Sequence, residues 1–299
     1  MNVMEPIWKS IFIKQTYSSI KDRGIHACAK DVRFALDNFP KETKYCLKLD
    51  IHKFYPSIDH EILKKIIRIK IKDNRLLRLL DDIIDSAPGV PIGNYLSQFF
   101  ANLYLAYFDH WVKETLRCKF YFRYADDIVI LGEDKELLNL VLININYYLT
   151  TKLKLELKPN YQIFPVDSRG IDFVGYKFYH THTLLRKSIK VKINRLLNKY
   201  KDGWISLSNL KTSMQSYFGW LKYCDSKHFL QKIETQTGLH YSNFIGEETL
   251  ISNTYNKNIK VIDIQVSNKY FIIHFYYHNK PYWFKSCNKK LLKKLYERT

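Results

Sequence analysis

The chain has 299 residues, 46% of them hydrophobic and 15% aromatic, and a formal net charge of +19. Such a length and apolar content allow a sizeable buried core, and the charge argues for an anionic partner, either nucleic acid or a membrane surface. No apolar run reaches the roughly 18 residues that span a bilayer. The opening MNVMEPIWKSIFIKQ also lacks the basic head, long apolar centre and small-residue cleavage site of a signal peptide, so no membrane is expected and the cytoplasm is the expected compartment.

In chain order, residues 1 to about 40 read as helical pieces broken at Gly24 in KDRGIH. YCLKLDIHKFYPSIDHEILKKIIRIKIKD reads as a short apolar strand ending at Asp50, a bend through Pro56, and an amphipathic helix with Ser57 and Asp59 as candidate caps. Residues 75 to 85 continue as helix, and the Pro- and Gly-rich loop of APGVPIGNYLSQ feeds a long helix. YFRYADDIVIL reads as a β-hairpin whose tight turn carries Ala125, Asp126 and Asp127. Lys135 to Leu157 follows as a helix and the start of a strand, then GIDFVGYKFYHTHTLL as a second hairpin.

Residues 185 to about 240 read as basic helices, with Trp204, Tyr217, Phe218, Trp220 and Tyr223 as their core rather than a stacking platform. From about 245 the pattern alternates like two or three strands, joined at Ser267-Asn268 and His278-Asn279, before a basic helix, NKKLLKKLYERT. The class is therefore α+β.

The five cysteines, Cys28, Cys46, Cys118, Cys224 and Cys287, are scattered with no Cys-x-x-Cys pair and read as reduced thiols. The 23 tyrosines, many near lysine or arginine, suit unpaired nucleic acid, in which cations track phosphates and rings stack on bases. Adjacent Asp126 and Asp127 could be ordinary turn chemistry. Between buried strands, however, two like charges repel unless a cation or a basic partner lies between them; the functional reading is a metal site, for which Asp50 at a strand end is the natural third carboxylate. Magnesium, a hard cation that keeps open positions for phosphates, fits such a set and suits nucleotidyl transfer to a 3′-hydroxyl. His180 and His182 lie two apart with no further ligand nearby in sequence.

With Asp50, the loop at 89 to 98 and Tyr124-Ala125-Asp126-Asp127 in order, the chain resembles reverse transcriptases from about residue 12 to about residue 230. The resemblance implies a right-hand polymerase. Fingers and palm would lie in residues 1–184, a helical thumb in 185–243, and a small β-rich basic extension in 244–299. It implies Asp50 and Asp126 as metal ligands with the Ile51 carbonyl, two Mg2+ ions with Mn2+ as a substitute, and Asp127 as the second acid, nearer the primer.

By the same resemblance Tyr55 lies under the incoming sugar and excludes a 2′-hydroxyl. Gly93, Ser97 and Gln98 belong to the nucleotide-binding loop, Lys158 acts as a general acid, and Lys21 and Arg23 hold the triphosphate. Phe173, Gly175 and Tyr176 form the primer grip. Most of the family has Gln before the loop glycine and Pro after the serine, whereas this chain has Ile92 and Gln98. Replacing an amide by an apolar side chain weakens discrimination. The I-G-x-x-x-S-Q form resembles reverse transcriptases of diversity-generating retroelements, whose copying is error-prone at adenines. Defence-associated bacterial reverse transcriptases are the alternative, and an idle RNA-binding scaffold a further one. The implied partners are an RNA template, its cDNA or primer, deoxynucleotides, a structured non-coding RNA and an accessory protein.

Overall fold

The computed structural model describes residues 4–91, 95–239, 259–266, 271–277 and 280–286, the last three stretches as backbone. It has two compact units, Met1–Lys192 with Tyr223–Ser226 and Ile193–Lys222 with Lys227–Thr299.

The first unit opens with helices α1 (Met4–Lys9) and α2 (Ile25–Asn38), the second starting after Gly24. Its centre is an antiparallel sheet in the order β2-β3-β1-β4, from β1 (Tyr45–Asp50), β2 (Phe120–Tyr124), β3 (Asp127–Gly132) and β4 (Gln162–Pro165). Cys46 and Leu47 are adjacent and both buried, as are Phe120 to Arg123 and Ile128 to Leu131. Both faces of these strands are therefore covered.

Between β1 and β2 come a short 3-10 turn at Tyr55–Ser57, α3 (His60–Lys70), α4 (Asn74–Asp85) and α5 (Tyr95–Glu114). Asp59 caps α3, its carboxylate accepting from the Ile62 N–H at 3.0 Å, whereas Ser57 lies in the 3-10 turn and caps nothing. Helix α5 buries residues all around its circumference, as a helix inside a core does. Helix α6 (Lys135–Leu153) packs over β1, β3 and β4, and α2 over β2.

A short helix α7 (Val166–Arg169) leads into a three-stranded antiparallel sheet, β5 (Ile171–Phe173), β6 (Tyr176–Phe178) and β7 (Thr183–Leu185). Helix α8 (Lys187–Lys201) runs on into the second unit, which also holds α9 (Leu207–Leu221), α10 (Lys227–Thr237) and an antiparallel sheet of β8 (Ile259–Val266), β9 (Phe271–Tyr277) and β10 (Lys280–Ser286). Its helices bury Ile193, Leu197, Leu210, Met214, Phe218, Leu221 and Ile233.

Trp204 departs from the sequence expectation. It is 80% exposed in the α8–α9 connection because that segment is a turn, where helical spacing no longer applies. The turn is fixed by the Trp204 N–H donating to the Lys199 carbonyl at 2.9 Å and by Gly203 at φ 75°. The joints at Ser267-Asn268 and His278-Asn279 and the terminal basic helix lie outside the described residues.

Candidate active site

Strand register builds the acidic centre. Asp50, the last residue of β1, pairs with Asp127, the first of β3, and Tyr124 pairs with Asp127 across the β2–β3 hairpin. The loop is therefore Ala125 and Asp126 alone, not the three-residue tip expected from sequence, with Asp127 belonging to the strand. Ala125 sits at φ 53°, a left-handed conformation that costs a non-glycine residue of order 1–3 kcal/mol. The carbonyl of Asp126 accepts from the Ile51 N–H at 3.3 Å, tying the turn to the residue after Asp50.

The three acids have different environments. Asp126 has its pKa raised, by burial and by the Asp50 carboxylate beside it. Asp127 is pushed up to about 6, chiefly by burial, against the pull of Lys48 3.5 Å away. The Lys158 ammonium lies 2.7 Å from Asp50 Oδ1, and that partnership raises the lysine's own pKa. Asp127 Oδ1 is a buried oxygen with no hydrogen-bond partner among the described residues.

Asp126 with its raised proton affinity, Asp50 beside it and the unbonded oxygen of Asp127 have the chemistry that fits a divalent cation. Among the described residues no three His, Cys, Asp or Glu side chains enclose an ion. Asp50 and Asp126 are the residues that would hold one, as an open set.

A buried ion pair under the turn supports this centre, and sequence reasoning missed it. Arg123 and Asp109 are both fully buried, joined by Nε to Oδ1 at 2.7 Å and Nη2 to Oδ2 at 2.6 Å. Asp109 also accepts from the Tyr121 hydroxyl at 2.5 Å and the Thr16 hydroxyl at 3.0 Å. Arg123 Nη1 donates to the Ala125 carbonyl at 2.9 Å, so the network grips the strained residue of the turn. Its sequence signal was an arginine within the apolar YFRY and an aspartate within the equally apolar YFDHW. Lys48 was missed too: from β1 it reaches Asp127 and donates to the Asp172 carbonyl of the second hairpin.

The other predicted residues separate into three groups. Tyr55 is half-buried against Phe54, and its pKa is raised by burial and by Asp126, which brings it beside the acidic centre. Ile51 is buried and bridged to Leu157, and Lys158 donates its backbone N–H to the Asp50 carbonyl at 2.8 Å.

Ser97 and Gln98 lie in the first turn of α5. Ser97 is buried with its hydroxyl unpartnered among the described residues, and Gln98 is exposed. Ile92 and Gly93 lie outside the described residues.

Lys21 is exposed, whereas Arg23 donates to the Ile13 carbonyl at 2.9 Å and so braces its own loop. Phe173 and Tyr176 are buried and paired across a two-residue turn, Val174 at φ 42° and Gly175 at φ 85°, the double positive φ of a tight primed hairpin. The Tyr176 hydroxyl lies 3.1 Å from His26 Nδ1. His180 is bonded to Asp167 and Thr43, and His182 stacks on Tyr179, so the pair does not converge on a metal.

Residues 2–178 match the family model described as reverse transcriptase (RNA-dependent DNA polymerase), and residues 186–228 match that of the OST-HTH/LOTUS domain. Protein YkfC of Escherichia coli strain K12 is 25% identical over 228 residues, 62% of this chain and 58% of its own length, so the chain spans little more than half of that relative. The retron Ec73 reverse transcriptase of Escherichia coli is 26% identical over 259 residues, 81% of this chain and 77% of its own. Telomerase from Candida tropicalis, solved in complex with a TWJ fragment of telomeric RNA, superposes with a TM-score of 0.51 at 14% identity over 85% of this chain and 49% of that one, a likeness of fold. With more than half its residues matched by one family model and a helix-backed antiparallel palm sheet, the chain belongs to the reverse transcriptase family.

Proposed function

We propose that this chain copies RNA into DNA, adding deoxynucleotides to a primer end at Asp50 and Asp126. The observation that carries the reading is the meeting of two carboxylates at one end of the sheet, Asp50 from β1 and Asp126 from the Tyr-Ala-Asp-Asp turn, with an unbonded oxygen of Asp127 buried beside them. Mg2+, as two ions held by Asp50, Asp126 and the Ile51 carbonyl and replaceable by Mn2+, would supply positive charge for the attacking 3′-hydroxyl and the departing pyrophosphate.

The chain's own groups then orient and discriminate. Tyr55 lies beneath the sugar, where its ring meets a ribonucleotide's 2′-hydroxyl. Lys158, kept charged by Asp50, donates a proton to the pyrophosphate as it leaves. Asp127, turned toward Lys48, faces the primer side, and the hairpin of Phe173, Gly175 and Tyr176 grips the primer end. Lys21 and Arg23 hold the triphosphate, Arg23 while its Nη1 also donates to the Ile13 carbonyl.

Error-prone copying in a diversity-generating retroelement, with a structured RNA and an accessory protein, is the biological role favoured by Ile92 and Gln98. The second reading, a defence enzyme with its own non-coding RNA, stands beside it. Purification of wild type beside Asp126→Asn, with sequencing of the RNA and DNA that accompany each, separates them. Wild-type cDNA substituted at template adenines supports diversification, and faithful or repetitive cDNA appearing on phage infection supports defence. RNA without cDNA in both samples overturns the polymerase reading in favour of a scaffold.

A further inference from the structure

The loop between α4 and α5 is locked onto the backbone of the residue proposed to select the sugar. Gly89 has φ 67°, and a Cβ built on it would lie 2.2 Å from the Tyr55 carbonyl oxygen and 2.7 Å from Pro56 Cα and C. These are backbone atoms, so no side-chain rotation relieves the overlap. The neighbouring Val90 N–H donates to that same Tyr55 carbonyl at 3.1 Å. A second clamp closes from behind: His60 Nε2 lies 2.7 Å from the Gly89 carbonyl and Nδ1 3.0 Å from Asp85 Oδ1, while Lys64 holds Asp85 Oδ2 at 2.7 Å.

We infer that Gly89, held by His60, is a positioning residue that sets the height of Tyr55 beneath the incoming sugar and thereby the preference for deoxynucleotides over ribonucleotides. The inference rests on the reading of Tyr55 as the sugar gate. An added Cβ at Gly89 pushes the two backbones apart by about 1 Å, a displacement that at a reacting centre changes rates by about 100-fold. The ring is displaced with its backbone, its fit against the 2′-hydroxyl is lost, and sugar discrimination falls. Loosening from mere misfolding lowers use of both sugars together and leaves their ratio alone.

The test measures kcat/KM for a deoxynucleotide and the matching ribonucleotide on one RNA-templated primer, for wild type, Gly89→Ala, His60→Ala and Tyr55→Val. Thermal unfolding of each is recorded alongside. A fall of about tenfold or more in the deoxy-to-ribo ratio for Gly89→Ala, carried mainly by a lower ribonucleotide KM, is expected, with a smaller fall for His60→Ala. If Gly89→Ala does not fold, His60→Ala decides, since it removes the bond to the Gly89 carbonyl without adding a Cβ at position 89. A ratio unchanged in the folded variants while Tyr55→Val lowers it overturns the role of Gly89 alone. A ratio unchanged in Tyr55→Val overturns the gate, and this inference with it.

Discussion

Replacing Arg123 by Met tests whether the buried pair beneath the acidic turn does what its geometry implies. The change keeps a long side chain but leaves Asp109, fully buried, without the guanidinium that makes two bonds to it. Breaking one side of a buried pair costs about 3–5 kcal/mol, because the remaining charge has lost its partner. The Tyr121 and Thr16 hydroxyls still donate to Asp109 and offset part of this, which places the expectation near the lower end, about 3 kcal/mol. Function suffers separately, since Arg123 also fixes the carbonyl of Ala125 in its left-handed conformation. Released, the turn relaxes and Asp126 moves relative to Asp50; a shift near 1 Å lowers incorporation by about 100-fold.

Urea denaturation gives the first quantity, and primer extension at a temperature where circular dichroism shows the variant folded gives the second. Removing both charges together, Arg123→Met with Asp109→Leu, recovers about 1–3 kcal/mol of the loss but none of the activity. A single-variant loss under about 1 kcal/mol, or full activity in the double variant, refutes the reasoning.

Three further outcomes follow from particular side chains. Asp127 holds its proton up to about pH 6 in the folded, metal-free protein against an ordinary value of 3.8, so its contribution to stability is present below about pH 4 and is lost as pH rises through 6. Asp127→Asn should therefore flatten that part of the Tm-versus-pH curve measured in EDTA and raise Tm at pH 7.5; an unchanged slope contradicts the assignment. Burial raises the pKa of the Cys28, Cys46, Cys118 and Cys224 thiols, Cys118 to about 11 and Cys224 to about 12. These four should react with a disulfide reagent at pH 8 only after denaturant is added, and rapid native labelling at any of them, located by mass spectrometry, counts against the packing. Trp204→Ala, at an 80% exposed position, should leave Tm within about 1 °C of wild type, whereas a drop of several degrees would return Trp204 to the core.

The parts legible in the sequence are those whose information is local. Asp50 at a strand end, the Tyr-Ala-Asp-Asp hairpin, the Asp59 cap and the FVGYKF hairpin each show as a short pattern, because register and turn geometry follow from adjacent residues. The partnerships between distant positions were hidden. Arg123 meets Asp109 across 14 residues, Lys48 reaches Asp172 across 124, and the Gly89 contact with Tyr55 arises only once α3 and α4 have folded back. The bond from Arg23 to the Ile13 carbonyl was hidden too, since a loop cation shows no acceptor in sequence. Trp204 was read as core because helical spacing was carried through a turn.

Primer extension reads RNA-templated DNA synthesis at Asp50 and Asp126 without intermediaries. Wild type, Asp50→Asn and Asp126→Asn are each given a DNA primer annealed to RNA, deoxynucleotides and Mg2+, with binding of the primer–template followed in parallel. Extension by wild type alone is expected, with all three proteins binding the duplex comparably. Extension by Asp126→Asn at a rate near wild type would remove Asp126 from the chemistry.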